Sequence, residues 1–147
     1  MGQQNLKFRD LAQQLLDHER GQRDTPVELV PAMDGAFQRL HEHMLNLIGQ
    51  EGFQALLARA AHLTRAEAGW IESITIQTGP VLTLNGLAER IESEGAAEVI
   101  DGLVLLLANL IGLLCTFIGE PLTMLLIRRI WPEVPLEDPD SGSKEGK

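Results

Sequence analysis

The sequence predicts an all-α, single-domain bundle of five to six helices around one apolar central helix, with a small β-hairpin or loop at residues 71–84. Three observations carry this. Residues 103–118, LVLLLANLIGLLCTFI, run for sixteen positions without a charge, and a helix that is apolar nearly all round has to be covered by something. The composition is rich in Leu, Ala, Gln and Glu, with 4% aromatic residues and no Tyr, which favours helices with an aliphatic core. Elsewhere, apolar residues recur at three-and-four spacing between Gly and Pro punctuation. At 147 residues the chain is one domain's worth, long enough to bury a core without disulfides or metals.

Residues 5–20 form the first periodic segment, with Leu6, Leu11 and Leu15 on one side and Gly21 as its stop. Asp24 or Thr25 suits a cap and Pro26 a first helical position, while Pro31 breaks or kinks whatever begins there. A second helix is expected over 31–48, with Phe37, Leu40, Met44, Leu47 and Ile48 inward and Gly49 closing it. A third follows over 51–68, with Phe53, Leu56, Leu57, Ala60 and Leu63 inward. With only Gly49 and Gln50 between them, the two should form an antiparallel pair.

The stretch IESITIQTGPVLTL at 71–84 changes character. It is rich in β-branched residues, Ile74 and Ile76 alternate with polar neighbours, and Gly79-Pro80 signals a turn. Asn85 suits the cap of a short helix through Ser93, or of one merging with the next. The central helix covers 94–118 and ends at Gly119. Pro121 opens a last helix that Trp131-Pro132 stops at Ile130. Residues 1–132 are thus the helical domain, and 133–147, EVPLEDPDSGSKEGK, an acidic tail expected to be disordered.

The central helix presents one broad apolar stripe through Leu103, Leu107, Leu110, Leu114 and Phe117. Its other side carries a band of mostly small residues, Leu105, Ala108, Gly112 and Cys115, where a second helix would approach closely. Three settings fit: enclosure by the chain's own helices, a homodimer interface on that band, or a membrane. The uncharged run is shorter than the roughly 18–20 residues of a bilayer span. Glu98, Asp101 and Glu120 bracket it, which favours a soluble protein.

Net charge is −9, distributed as −1 over residues 1–65, −5 over 66–131 and −3 over 132–147. No basic stripe is present to follow a phosphate backbone, so nucleic acid and anionic membrane surfaces are disfavoured as partners. The N-terminus lacks the apolar stretch of a secretory signal and Cys115 is the single cysteine, so a cytoplasmic location is expected.

Candidate chemistry is sparse. His41 and His43 lie two apart, about 200° around a helix, and cannot chelate one metal together. Both read as solvated helix residues. The segment LHEHMLNL, with His41 followed by Glu42, resembles the phospho-accepting helix of histidine phosphotransfer domains. It lacks the Lys-Gly that follows two residues after the histidine there. His18 suits a helix C-terminus, and His62 a core boundary. Cys115 sits where an apolar setting raises a thiol's pKa and suppresses nucleophilicity. Glu89, Glu92, Glu94, Glu98 and Asp101 read as a solvated acidic face, without the ligand alternation of a calcium loop. No catalytic, cofactor or metal site is expected, and an enzyme less than a non-enzyme.

The functional expectation is a small interaction or regulatory protein working through helix faces. Self-association as a homodimer through Leu105, Ala108, Gly112 and Cys115 is expected, with residues 71–84 and the tail free for a protein partner. Two alternatives stand beside it: a ligand-binding or catalytic bundle with a site assembled from dispersed polar residues, and a membrane-associated protein using the 103–118 helix.

Overall fold

The computed structural model describes residues 2–22, 25–77 and 82–134, and the side chains from Lys7 onward. Its elements are α1 (Gly2–Arg20), α2 (Pro26–Thr64), a 3-10 turn (Gly69–Ser73), β1 (Thr75–Gln77), β2 (Thr83–Asn85), α3 (Leu87–Glu94), α4 (Ala96–Ile118) and α5 (Glu120–Ile130). The chain is an all-α bundle carrying one two-stranded antiparallel sheet. Most of the expected tail, residues 135–147, and the turn expected at Gly79-Pro80 lie outside the described residues.

Helix α2 begins earlier than expected and passes through Pro31 with helical backbone angles. Pro31 leaves the carbonyl of Val27 without its helical donor. Val27 is 83% exposed, so that oxygen is left where solvent can reach it, and the helix continues. The one departure from helical angles inside α2 is at Gly49, φ 80° and ψ 167°. The rings of His41 and Phe53 stand on opposite sides of this bend with centroids 5.0 Å apart. Twelve residues of straight helix would separate them by about 18 Å, so the halves fold back on each other where the sequence placed a helix break. Gly95 (φ 96°, ψ 149°) joins α3 to α4 and Gly119 (φ 97°, ψ 145°) joins α4 to α5 in nearly the same conformation. Each is at once the C-cap of one helix and the N-cap of the next: Gly119 N–H donates to Cys115 O and Gly119 O accepts from Thr123 N–H.

Helix α4 packs against α1, α2, α3 and α5. Val99, Leu103, Leu106, Leu110, Ile111 and Leu114 are fully enclosed. They join Leu15 and Leu16 of α1 and Met33, Phe37 and Leu40 of α2 in one core. Leu47, Leu63 and Phe117, expected inward, are instead 46%, 40% and 61% exposed. Each lies within two residues of a bend or helix end, where the chain turns away before a neighbour covers it. Asn85 ends β2 rather than capping α3. That cap is Gly86 in the left-handed region, φ 95° and ψ 0°.

The hairpin stands because α2 completes it. An isolated two-stranded ribbon is marginal in water, but here β2 is hydrogen-bonded on both edges. Its inner edge pairs with β1, Ile76 opposite Leu84. On its outer edge, Leu84 N–H donates to Asp34 Oδ1 (3.0 Å) and Leu82 N–H to Gln38 Oε1. One helical turn, about 6 Å, nearly matches the two-residue repeat of a strand, about 6.7 Å. Two acceptors four apart on a helix therefore substitute for a third strand.

Burial pushes the Asp34 carboxyl above its usual range, and the Leu84 N–H offsets this only partly. A raised pKa means the folded chain holds that proton more tightly than the unfolded one. Its contribution to stability is complete below the unfolded value, near 3.9, and is lost as pH rises through the raised value. Asp34→Asn keeps the oxygen acceptor without the buried charge. The stability difference, variant minus wild type, should therefore grow in the variant's favour between pH 3.5 and 7 in paired urea melts. A difference flat with pH would show that Asp34 is not the group responsible.

At the C-terminal end, Glu19 of α1 accepts from Trp131 Nε1 and pairs with Arg39 of α2 at 3.2 Å. One half-buried carboxylate thereby ties together α1, α2 and the end of α5. Val134, which the sequence assigned to the tail, is buried, and its N–H donates to Trp131 O.

Candidate functional site

The second half of α2 repeats at helical spacing in two registers. Phe53, Leu57, Ala60 and Thr64 face the core, which leaves Gln54, Ala55, Ala58 and His62 outward. Thr64 is fixed as a buried anchor, its hydroxyl donating to Ala60 O and accepting from Asn109 of α4. Opposite the outward stripe run the 3-10 turn and β1. Between them lies an open groove of about 670 Å³. Leu57, Ile71 and Ile74, all buried, floor it, and Ala55, Ala58 and Ala61 make a low wall. Glu51, Gln54, His62, Arg65 and Glu72 form a polar rim. Arg65 Nε and Glu72 Oε2 pair at 3.0 Å across it.

The groove floor is held in place by a close contact that the sequence did not reveal. The Trp70 indole lies on Gly102 of α4 so tightly that a Cβ on Gly102 would come within 2.2 Å of Trp70 Cζ2. Trp70 thus anchors the 3-10 turn, and with it Ile71 and Ile74, to the central helix.

The edge of β1 is also part of the site. Leu82 and Leu84 turn their N–H groups to α2, so Thr83 and Asn85 face β1 and exchange hydrogen bonds with Gln77 and Thr75. Ile76, opposite Leu84, therefore directs its N–H and C=O to the other edge, where no strand lies among the described residues. Ile76 is a groove residue.

The residues singled out from sequence are scattered. Gly112 does accept a close neighbour: a Cβ there would sit 3.4 Å from Phe8 Cδ2, on α1 of the same chain. Ala108 is 5% exposed, and Leu105 and Cys115 are half-buried. Burial, together with Glu120, raises the Cys115 thiol against the opposing effects of Thr123 and Lys7, which leaves it the neutral, weakly nucleophilic form. The acidic residues Glu89, Glu92, Glu94, Glu98 and Asp101 are all exposed, and no group of three or more metal-ligating side chains converges among the described residues. His18 lies 3.8 Å from Glu133. Only His62 reaches the groove.

His41 corrects the expectation of a solvated histidine. Its ring is fully buried against Phe53, and neither nitrogen has a hydrogen-bond partner among the described residues. His43 is exposed, Nδ1–H donating to Arg39 O at 2.9 Å. The fold-back at Gly49 buries the first ring, which sequence periodicity within one helix does not register. A sealed imidazole is not a phospho-acceptor, which removes the resemblance to phosphotransfer helices. Leaving buried polar atoms unpaired costs about 1–3 kcal/mol, whereas the ring contact with Phe53 returns about 0.5–1.5 kcal/mol. His41→Leu is therefore expected to stabilise the fold by roughly 1 kcal/mol in urea unfolding at neutral pH. A loss of similar size would show that the imidazole finds a partner in solution.

Helix α4 has the length and apolar composition of a membrane span, yet 61% of its most apolar window is buried inside the bundle. The chain matches no protein-family model, and no curated protein or solved structure is similar to it.

Proposed function

We propose that this protein is a small interaction module whose working surface is the groove between the second half of α2 and residues 71–76. The observation that carries this reading is the groove itself, about 670 Å³ with an apolar floor and a polar rim. Apolar concavity with a few polar groups at the margin is what a segment of a partner protein recognises. The chemistry-bearing side chains support binding over catalysis. Cys115 is held as a thiol and His41 is sealed in the core, while the rim ion pair Arg65–Glu72 is a recognition feature.

A photo-crosslinking amino acid at Ala58 tests this in cells, with the same residue at Glu98, exposed on the first turn of α4, as the reference. The expected result is a discrete adduct from position 58 that disappears when Ala61→Glu is added. No adduct at 58, or equal yields at both positions, would remove the groove from consideration.

A second reading, self-association, rests on the corner between α4 and α5. Phe117, Leu122 and Leu125 are 61%, 37% and 43% exposed there. Since Phe8 already occupies Gly112, this corner is the better site for a second copy than the band of Leu105, Ala108, Gly112 and Cys115. Light scattering should then give a dimer that Phe117→Glu converts to monomer; a wild-type monomer at 100 μM would end this reading.

A further inference from the structure

We propose that the groove takes a positively charged, extended segment of a partner protein as a third strand on the outer edge of β1, which no strand covers among the described residues. This rests on the groove being the working surface and adds how its occupant is held. β2 has no edge left, since Asp34 and Gln38 take its outer N–H groups. β1 offers Ile76 N–H and C=O outward, beside an apolar floor that would receive every second side chain of an added strand. Sheet edges are usually protected by charge, proline or a bulge. The sequence Thr75-Ile76-Gln77 carries neither charge nor proline, and its register with β2 runs without a bulge.

Charge selects the sign of the occupant. Arg65 and Glu72 neutralise each other across the rim, while Glu51, exposed on the same rim, has no ion pair among the described residues. The chain carries −9 overall. A segment with Lys or Arg at its rim-facing positions is therefore steered toward the groove and an acidic one repelled.

The test is selection of a displayed library of random seven-residue peptides on the full chain. Titration of the enriched peptides, each made also with alternate backbone nitrogens methylated, then reads the binding mode. The expected outcome is enrichment of basic peptides with alternating apolar residues, and at least tenfold weaker binding after methylation on one register only. Ile76→Pro should weaken binding comparably while leaving the hairpin intact, because its N–H points away from β2 and serves no bond among the described residues. Retention of the Thr83 and Asn85 amide signals, whose N–H groups face β1, verifies that. Ala58→Glu should abolish binding of any groove occupant.

If Ala58→Glu abolishes binding while methylation and Ile76→Pro do not, the groove reading survives and strand addition fails. If no peptide is enriched, or Ala58→Glu has no effect, both fail. A concentration-dependent dimer lost in Ile76→Pro would assign the edge to a second copy and overturn the proposal. So would a tenfold gain in peptide affinity on removing residues 135–147, which would assign the groove to this chain's own end.

Discussion

Gly102→Leu is expected to expel the Trp70 indole from the face of α4, destabilising the protein and deforming the groove together. The magnitude follows from two opposed effects. Replacing a mid-helix glycine by alanine gains about 1 kcal/mol of helix propensity. At Gly102 that Cβ meets Trp70 Cζ2 at 2.2 Å, and overpacking of a rigid ring costs about 1–3 kcal/mol. The clash wins for Ala by a narrow margin and for Leu decisively. Gly35, also inside a helix, has nothing within 4 Å of its Cβ position. Gly35→Ala should therefore stabilise by about 0.5–1 kcal/mol, which makes it the internal control. In a Trp131→Phe background, Trp70 fluorescence of the Gly102→Leu variant should shift to the red and quench more readily with acrylamide. An unchanged spectrum with unchanged stability would show that Trp70 does not rest on Gly102.

Three of the helix breaks were legible because the apolar period before each closes on a glycine that the chain uses. Gly21, Gly49 and Gly119 stand where the apolar period stops, and each has positive φ. The hairpin was legible through the alternation of Ile74, Ile76, Leu82 and Leu84, of which three are buried. What stabilises it was not. Asp34 and Gln38 lie 44 or more residues from the strand they complete, and an exposed-looking Asp and Gln on a helix give no local sign of that role. Pro31 misled for the opposite reason: a local rule about helix interiors was overridden where the orphaned carbonyl faces water.

The site was less legible than the fold. Small residues on the most apolar helix point to Gly112, yet that position is taken by Phe8 within the chain. The outward small residues that line the groove are Ala55 and Ala58 on α2, which in the sequence look like ordinary helix formers. Alanine has the same helix propensity on a buried face as on an open one, so composition alone does not separate them. His41 shows the same limit. Its burial depends on the angle at Gly49, which sets what faces the ring and is absent from any one-helix projection.

Gly119→Ala should cost about 1–3 kcal/mol, lowering the melting temperature by about 2–4 °C per kcal/mol for a chain of this size. The reason is the pair of angles rather than the space, since only Pro121 Cδ, at 3.9 Å, approaches a Cβ placed there. With φ 97° and ψ 145°, Gly119 occupies a region open in practice only to glycine. Asparagine, which relieves left-handed positions with ψ near 45°, offers nothing at ψ 145°. Gly119→Asn should therefore be as damaging as Gly119→Ala, whereas Gly21→Asn, at φ 59° beyond the end of α1, should cost a few tenths of a kcal/mol. That contrast separates backbone conformation from a general preference for small residues at helix ends. The consequence reaches past stability, because Gly119 aims α5, and with it the exposed Leu122 and Leu125 and the Trp131 indole that donates to Glu19. If Gly119→Asn melted with wild type while Gly119→Ala did not, the junction would be left-handed rather than extended in solution, and α5 would leave α4 at a different angle.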